Sequence, residues 1–157
     1  YDDGLCRKIE PNVCTTSERF AVLKELHHAG IPTVVWLCPI LPFINDTAEN
    51  ITGILDYCIQ AKVYGVLCFG MGLTLREGNR EYFYAQLDKK FPHLKEQYIR
   101  YYGNQYVVNS PRNTELMQLF HRICEKNGMV HDNGHIFTYL NTFEDKLEQA
   151  QLSLWDI

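Results

Sequence analysis

Residues 31–51, IPTVVWLCPILPFINDTAENI, constrain the fold more than any other stretch of this chain. Gly30 and Pro32 end whatever helix precedes them, because glycine takes the left-handed cap conformation and proline lacks the amide proton a helix needs. Thr33 to Cys38 is then an unbroken apolar run rich in β-branched residues, the pattern of a strand covered on both faces and therefore of a parallel sheet. Pro39 and Pro42 bracket the segment that follows. Asp46-Thr-Ala-Glu49 reads as a capping box, with the Asp46 carboxylate accepting from an orphan amide at the start of a helix. Pro39 to Asp46 is then the loop at a strand's carboxyl end, where α/β proteins hold their ligands.

The same logic organises the neighbours. Asp2 to Ile9 forms a short helix closed by Pro11, and Thr15-Thr-Ser-Glu18 is a second capping box opening a helix that runs to Gly30. The helix from Asp46 places Ile51, Ile54, Leu55, Cys58 and Ile59 on one face and ends near Lys62. Val63 to Phe69 is the next strand. The two strands begin about 30 residues apart, the length of one βαβ unit, so a right-handed crossover makes them parallel neighbours with their carboxyl ends at one sheet edge. Gly70 to Gly78 then reads as a flexible loop. Three helices follow, over Asn79 to Lys90, His93 to Tyr102 and Arg112 to Asn127, with Gln105 to Asn109 extended between the last two.

Composition narrows the class. With 157 residues, 46% hydrophobic and 22% charged, the chain can bury a core, and disorder is excluded on those figures. The net charge of −4 and the lack of any five-residue Lys/Arg run remove a broad electrostatic footprint for nucleic acid. No apolar stretch approaches the roughly 20 residues of a membrane span, and no secretory leader opens the sequence, so a cytoplasmic location is expected. Six cysteines are scattered without a close pair, which argues against a disulfide framework or a CxxC knuckle. The sequence opens at Tyr1 already inside an expected helix, which suggests a piece of something longer.

Lys8-Ile-Glu-Pro11, Thr16-Ser-Glu-Arg19, Ala29-Gly-Ile-Pro32, Pro39-Ile-Leu-Pro42 and Ile44-Asn-Asp46, in that order and spacing, resemble the latter half of a radical S-adenosylmethionine protein of the spore photoproduct lyase-like type. The resemblance implies an α/β fold: an incomplete, half TIM-like (β/α)6 barrel of parallel strands over residues 1–90 with a C-terminal helical extension over 91–157. In that family S-adenosylmethionine chelates one iron of a 4Fe-4S cluster held on a CxxxCxxC loop, and its reductive cleavage releases a 5′-deoxyadenosyl radical. No CxxxCxxC occurs here, so both cofactors belong by resemblance to the parent protein and none is expected bound to this chain. The implied partners are the missing N-terminal half of the barrel and, by analogy alone, a nucleic-acid substrate. An exposed sheet edge would pair in a homodimer or be covered by the segment from His135 to Trp155. The alternative is a half-barrel that has lost the chemistry and serves as a binding module.

By position, the resemblance puts Pro39, Ile40, Asn45 and Asp46 after one strand and Phe69, Gly70, Met71 and Arg76 after the next as cofactor-binding candidates. Six of them also have a plain structural use. Asp46 suits a helix cap, Asn45 a turn, Gly70 a flexible bend, and Phe69 and Met71 a core. Arg76 offers a bidentate fork for a carboxylate or phosphate, but a solvated loop arginine with Glu77 beside it is the commoner use. His121-x2-Cys124 with His131-x3-His135 has a superficial zinc spacing, yet Asn133-Gly134 between the latter two reads as a turn.

Overall fold

A computed structural model of the chain describes residues 1–142. Helix α1 (Asp3–Ile9) is capped by the Asp2 carboxylate, and α2 (Thr16–His28) by the expected capping box: Thr15 N donates to Glu18 Oε2 at 2.7 Å, and Glu18 N donates back to Thr15 Oγ1 at 3.4 Å. Gly30, at φ +72°, turns the chain out of α2. Strand β1 (Val34–Trp36), helix α3 (Ala48–Gln60) and strand β2 (Gly65–Leu67) form one crossover unit, with β1 and β2 parallel in the register Val35↔Val66. Val130 adds a single parallel bridge on the far side of β2, opposite Gly65.

The remaining elements are strand β3 (Gly72–Thr74), α4 (Asn79–Lys90), α5 (Leu94–Tyr102), β4 (Val107–Asn109), α6 (Asn113–Lys126) and α7 (Asn133–Asn141). Strands β3 and β4 pair antiparallel, Leu73 opposite Val108. The half TIM-like barrel with a helical extension is therefore wrong. The described residues form a mostly helical mixed α/β fold: seven helices and four three-residue strands in two separate two-stranded sheets.

Two physical reasons account for the error. The segment after Phe69 does not lead on to another parallel strand but turns back as β3 and takes its partner from the supposed helical extension. Moreover, helices lie on both faces of the parallel pair. Val35 and Leu37 of the β1 run, with Val66 and Cys68 of the β2 run, pack into a core with Ile51, Leu55 and Cys58 of α3 and Leu116, Phe120 and Cys124 of α6. Gly65, one step out of phase with Val66, faces α7, where Ile136 is fully buried. A side chain at 65 would stand 2.6 Å from Val130 O and 3.1 Å from Ile136 Cδ1, so only glycine lets α7 approach this closely. A barrel keeps that second face as its interior; here a helix fills it.

A second core lies under the antiparallel pair. Leu75, Leu87, Tyr98, Tyr102 and Val108 are buried there, with Phe43, Phe83 and Tyr84 packed against them. Arg80 of α4 ties this region together by donating to the carbonyls of Leu75, Gly103, Asn104 and Gln105. The turn expected at Asn133-Gly134 is instead the first turn of α7, because Asp132 accepts from His135 N at 2.8 Å and caps it. Of the segment from His135 to Trp155, the part beyond Thr142 lies outside the described residues.

Candidate functional site

A groove of about 960 Å³ opens beside the carboxyl end of β1, between α1 and α2 on one side and α4 with the β3–β4 pair on the other. The parallel pairing of β1 and β2 brings the segments after both strands to it. Pro39, Ile40 and Asn45 from the first and Phe69 and Gly70 from the second line it. Five of the eight candidate residues thus meet in one place.

Their states differ. Pro39 and Phe69 are exposed, whereas Ile40 is 2% exposed and anchors the loop by donating its N–H to Gly72 O at 3.1 Å. Asn45 has a structural task, since its Oδ1 accepts from Leu41 N at 2.6 Å and closes the Pro39–Asp46 segment as a turn. Gly70, at φ +133°, has a backbone that other residues rarely adopt.

Asp46, Met71 and Arg76 do not line the groove. Asp46 is not the cap of α3 either; Thr47 is, its Oγ1 accepting from Asn50 N at 3.1 Å. Asp46 is buried and accepts a short hydrogen bond from Ser110 Oγ, which in turn accepts from Arg112 N at 3.0 Å. It links the loop after β1 to the start of α6. Met71 is fully buried, its N–H donating to Asn113 Oδ1 at 2.8 Å. Arg76 turns away, and its Nε donates to Tyr106 Oη at 3.1 Å.

Sequence reasoning placed Trp36 inside a strand buried on both faces, but Trp36 is 58% exposed at the rim of the groove. Its ring lies 5.8 Å from that of Phe69 and 6.4 Å from that of Phe137 on α7, and Phe69 is itself 60% exposed. Three partly wet aromatic rings in contact form a surface on which a flat apolar group can stack. Phe137 had no usable signal because the register of α7 was read as a turn. Cys38 also reaches the groove, exposed, with burial of its sulfur pushing the thiol pKa up.

Three of the six cysteines sit where a cluster could not reach them. Cys58, Cys68 and Cys124 are buried in the core, and desolvation pushes the Cys58 and Cys124 thiols up to about 12 and raises Cys68 as well. A cluster ligand must be a thiolate, and these sites hold the proton on. Among the described residues no three His, Cys, Asp or Glu side chains come together to hold a metal ion. The zinc spacing fails for the same reason. His121 and His131 approach to 5.2 Å between rings, but Cys124 is fully buried and the His135 side chain is 83% exposed. No described helix is long and apolar enough to cross a membrane.

No family model matches the chain, and no solved structure matches it. An uncharacterized protein of Mycobacterium bovis and uncharacterized proteins of two Mycobacterium tuberculosis strains are each 31% identical to it over 101 residues, 64% of this chain. The match spans 29% of the length of these curated relatives, so under a third of each is covered by it.

Proposed function

We propose that this chain is one part of a radical S-adenosylmethionine enzyme of the spore photoproduct lyase-like type, and that its groove is one wall of the cofactor and substrate cavity. The observation that carries the reading is the meeting of Pro39, Ile40 and Asn45 with Phe69 and Gly70 at the carboxyl ends of two parallel strands. These are the positions at which the sequence resemblance carries its ligand-side residues. The cluster is assigned to polypeptide outside these residues, since no CxxxCxxC occurs here, and no part of the electron transfer is assigned to this chain. A cytoplasmic location and a nucleic-acid substrate belong to the same proposal, the latter by analogy alone.

Anaerobic reconstitution of the full-length protein with iron and sulfide, then reduction in the presence of S-adenosylmethionine, tests it. The expected results are a brown protein and chromatographically identified 5′-deoxyadenosine, while the 157-residue chain treated alike is colourless after desalting. A full-length protein that takes up no cluster and forms no 5′-deoxyadenosine would overturn the reading. The exposed rings of Trp36, Phe69 and Phe137 would then favour the second one, a binding module without radical chemistry.

A further inference from the structure

Two histidines outside the groove meet where α6 gives way to the segment before α7. His121 stands on the helix and His131 in that segment, with ring centres 5.2 Å apart and ring planes at 55°. Fully buried Phe120 packs against both, its ring centre 5.3 Å from that of His121 and 6.0 Å from that of His131. A core side chain therefore fixes where the pair stands.

The chemistry of the two rings is set from the backbone. His131 Nδ1 lies 3.1 Å from Met129 O. A carbonyl can only accept, so Nδ1 carries the ring proton and, in the neutral imidazole, Nε2 keeps a free lone pair. Backbone carbonyls fix the tautomer of metal-binding histidines in the same way. His121 is exposed and its ring has no hydrogen-bond partner among the described residues, so its nitrogens are free to bind. Two imidazoles joined through one nitrogen each to a tetrahedral zinc ion, with bonds of about 2.0–2.1 Å, have ring centres about 5 Å apart. The observed separation already matches that value, whereas a square-planar ion would draw the rings closer and a linear one would hold them farther apart. Glu125 and Asp132 line with His131 a cavity of about 320 Å³, and among the described residues no lysine or arginine borders it.

We propose that His121 and His131 chelate a zinc ion between α6 and the segment before α7, with water on the remaining positions. Cys124 and His135 take no part. Val130 pairs with β2 and Asp132 caps α7, so an ion held by His131 fastens the segment between them to α6. Binding to the folded state alone adds stability. The inference rests on these two side chains and not on the radical chemistry proposed above.

Titration of the metal-free chain with zinc chloride, read from the histidine ring signals by NMR, tests it without altering either ligand. Cys14→Ser and Cys38→Ser form the background, because exposed thiols bind zinc on their own. The His121 and His131 signals should shift together and saturate together, with His135 unmoved. Zinc that shifts neither ring, or only one of them, would overturn the proposal. Competition with a chromophoric chelator then gives the affinity. His121→Asn and His131→Asn should each weaken it about 100-fold, as when a chelate is reduced to a single contact. The double variant should lose no more than either alone, and His135→Asn should change nothing. An affinity insensitive to His121 and His131, a loss on His135→Asn, or a dissociation constant above about 1 mM would each overturn it.

Discussion

The two cores of this molecule are built on different chemistry. Beneath the parallel pair, Ile51, Leu55, Val66, Leu116, Phe120 and Cys124 are all at 0% exposure and contain no atom that requires a hydrogen-bond partner. Beneath the antiparallel pair the filling is tyrosine and phenylalanine, and each buried hydroxyl needs an acceptor. Tyr98 Oη donates to Pro42 O and Tyr102 Oη to Asn109 O, both at 2.7 Å, while Tyr84 Oη is buried with no partner among the described residues. An aliphatic core asks only that side chains of the right volume share a face. An aromatic core with hydroxyls asks that particular loop carbonyls arrive at particular places.

Four measurements break or sharpen that contrast, all by urea unfolding of the purified chain. Phe120→Ala should show the largest effect, a loss of about 3–5 kcal/mol, because a fully buried ring leaves a cavity that packed α3 and α6 cannot close. A loss under about 1 kcal/mol would mean that the aliphatic core is loosely packed. Tyr98→Phe should lower stability by about 1–3 kcal/mol, since it strands the Pro42 carbonyl in a buried site. Tyr84→Phe has the opposite sign: deleting a buried hydroxyl with no partner among the described residues should stabilise by about 1 kcal/mol, and a clear loss there would reveal an acceptor.

The last effect belongs to the aliphatic core and vanishes at neutral pH. Cys58 and Cys124 have folded-state pKa values of about 12, above their unfolded value, so on unfolding at high pH these thiols release protons that the folded state holds. Their contribution is constant below about pH 8 and destabilises progressively as pH rises from about 9 toward 12. Cys58→Ala should flatten that alkaline slope. An unchanged slope would remove Cys58 as its source.

The same contrast explains what could be read from sequence. The aliphatic half was legible, because the β-branched run at Thr33–Cys38, the spacing of Ile51, Leu55 and Cys58, and the stop at Gly30 all follow from local rules. The groove followed from it, since parallel pairing alone brings Pro39 and Phe69 together. The other half was not. Gly70 to Gly78 carries the composition of a loop, yet Gly72 is in β3 because a side chain there would stand 2.3 Å from Val108 O of the partner strand. That requirement belongs to β4, some thirty-five residues away, and leaves no mark near Gly72. Asp46 was misread in a related way. Its neighbour Thr47 is an equally good cap, and only the presence of Ser110, 64 positions on, decides which of the two is drawn inward.

One side chain has a consequence for how this protein ages. Asn133 accepts from Cys68 N at 3.3 Å and donates to Cys68 O at 3.1 Å, so its amide stands in for a peptide group at the end of β2. It is followed by Gly134, the neighbour whose backbone nitrogen has the easiest access to an asparagine side-chain carbon for cyclisation and loss of ammonia. In the folded chain that amide is held at both ends and the glycine is wound into α7, so the reaction waits on local opening of the helix. Conversion to aspartate would set a carboxylate oxygen against the Cys68 carbonyl where an N–H now donates. Chemical damage at this position would therefore accumulate in molecules whose α7 has already let go, and it would keep them from closing again.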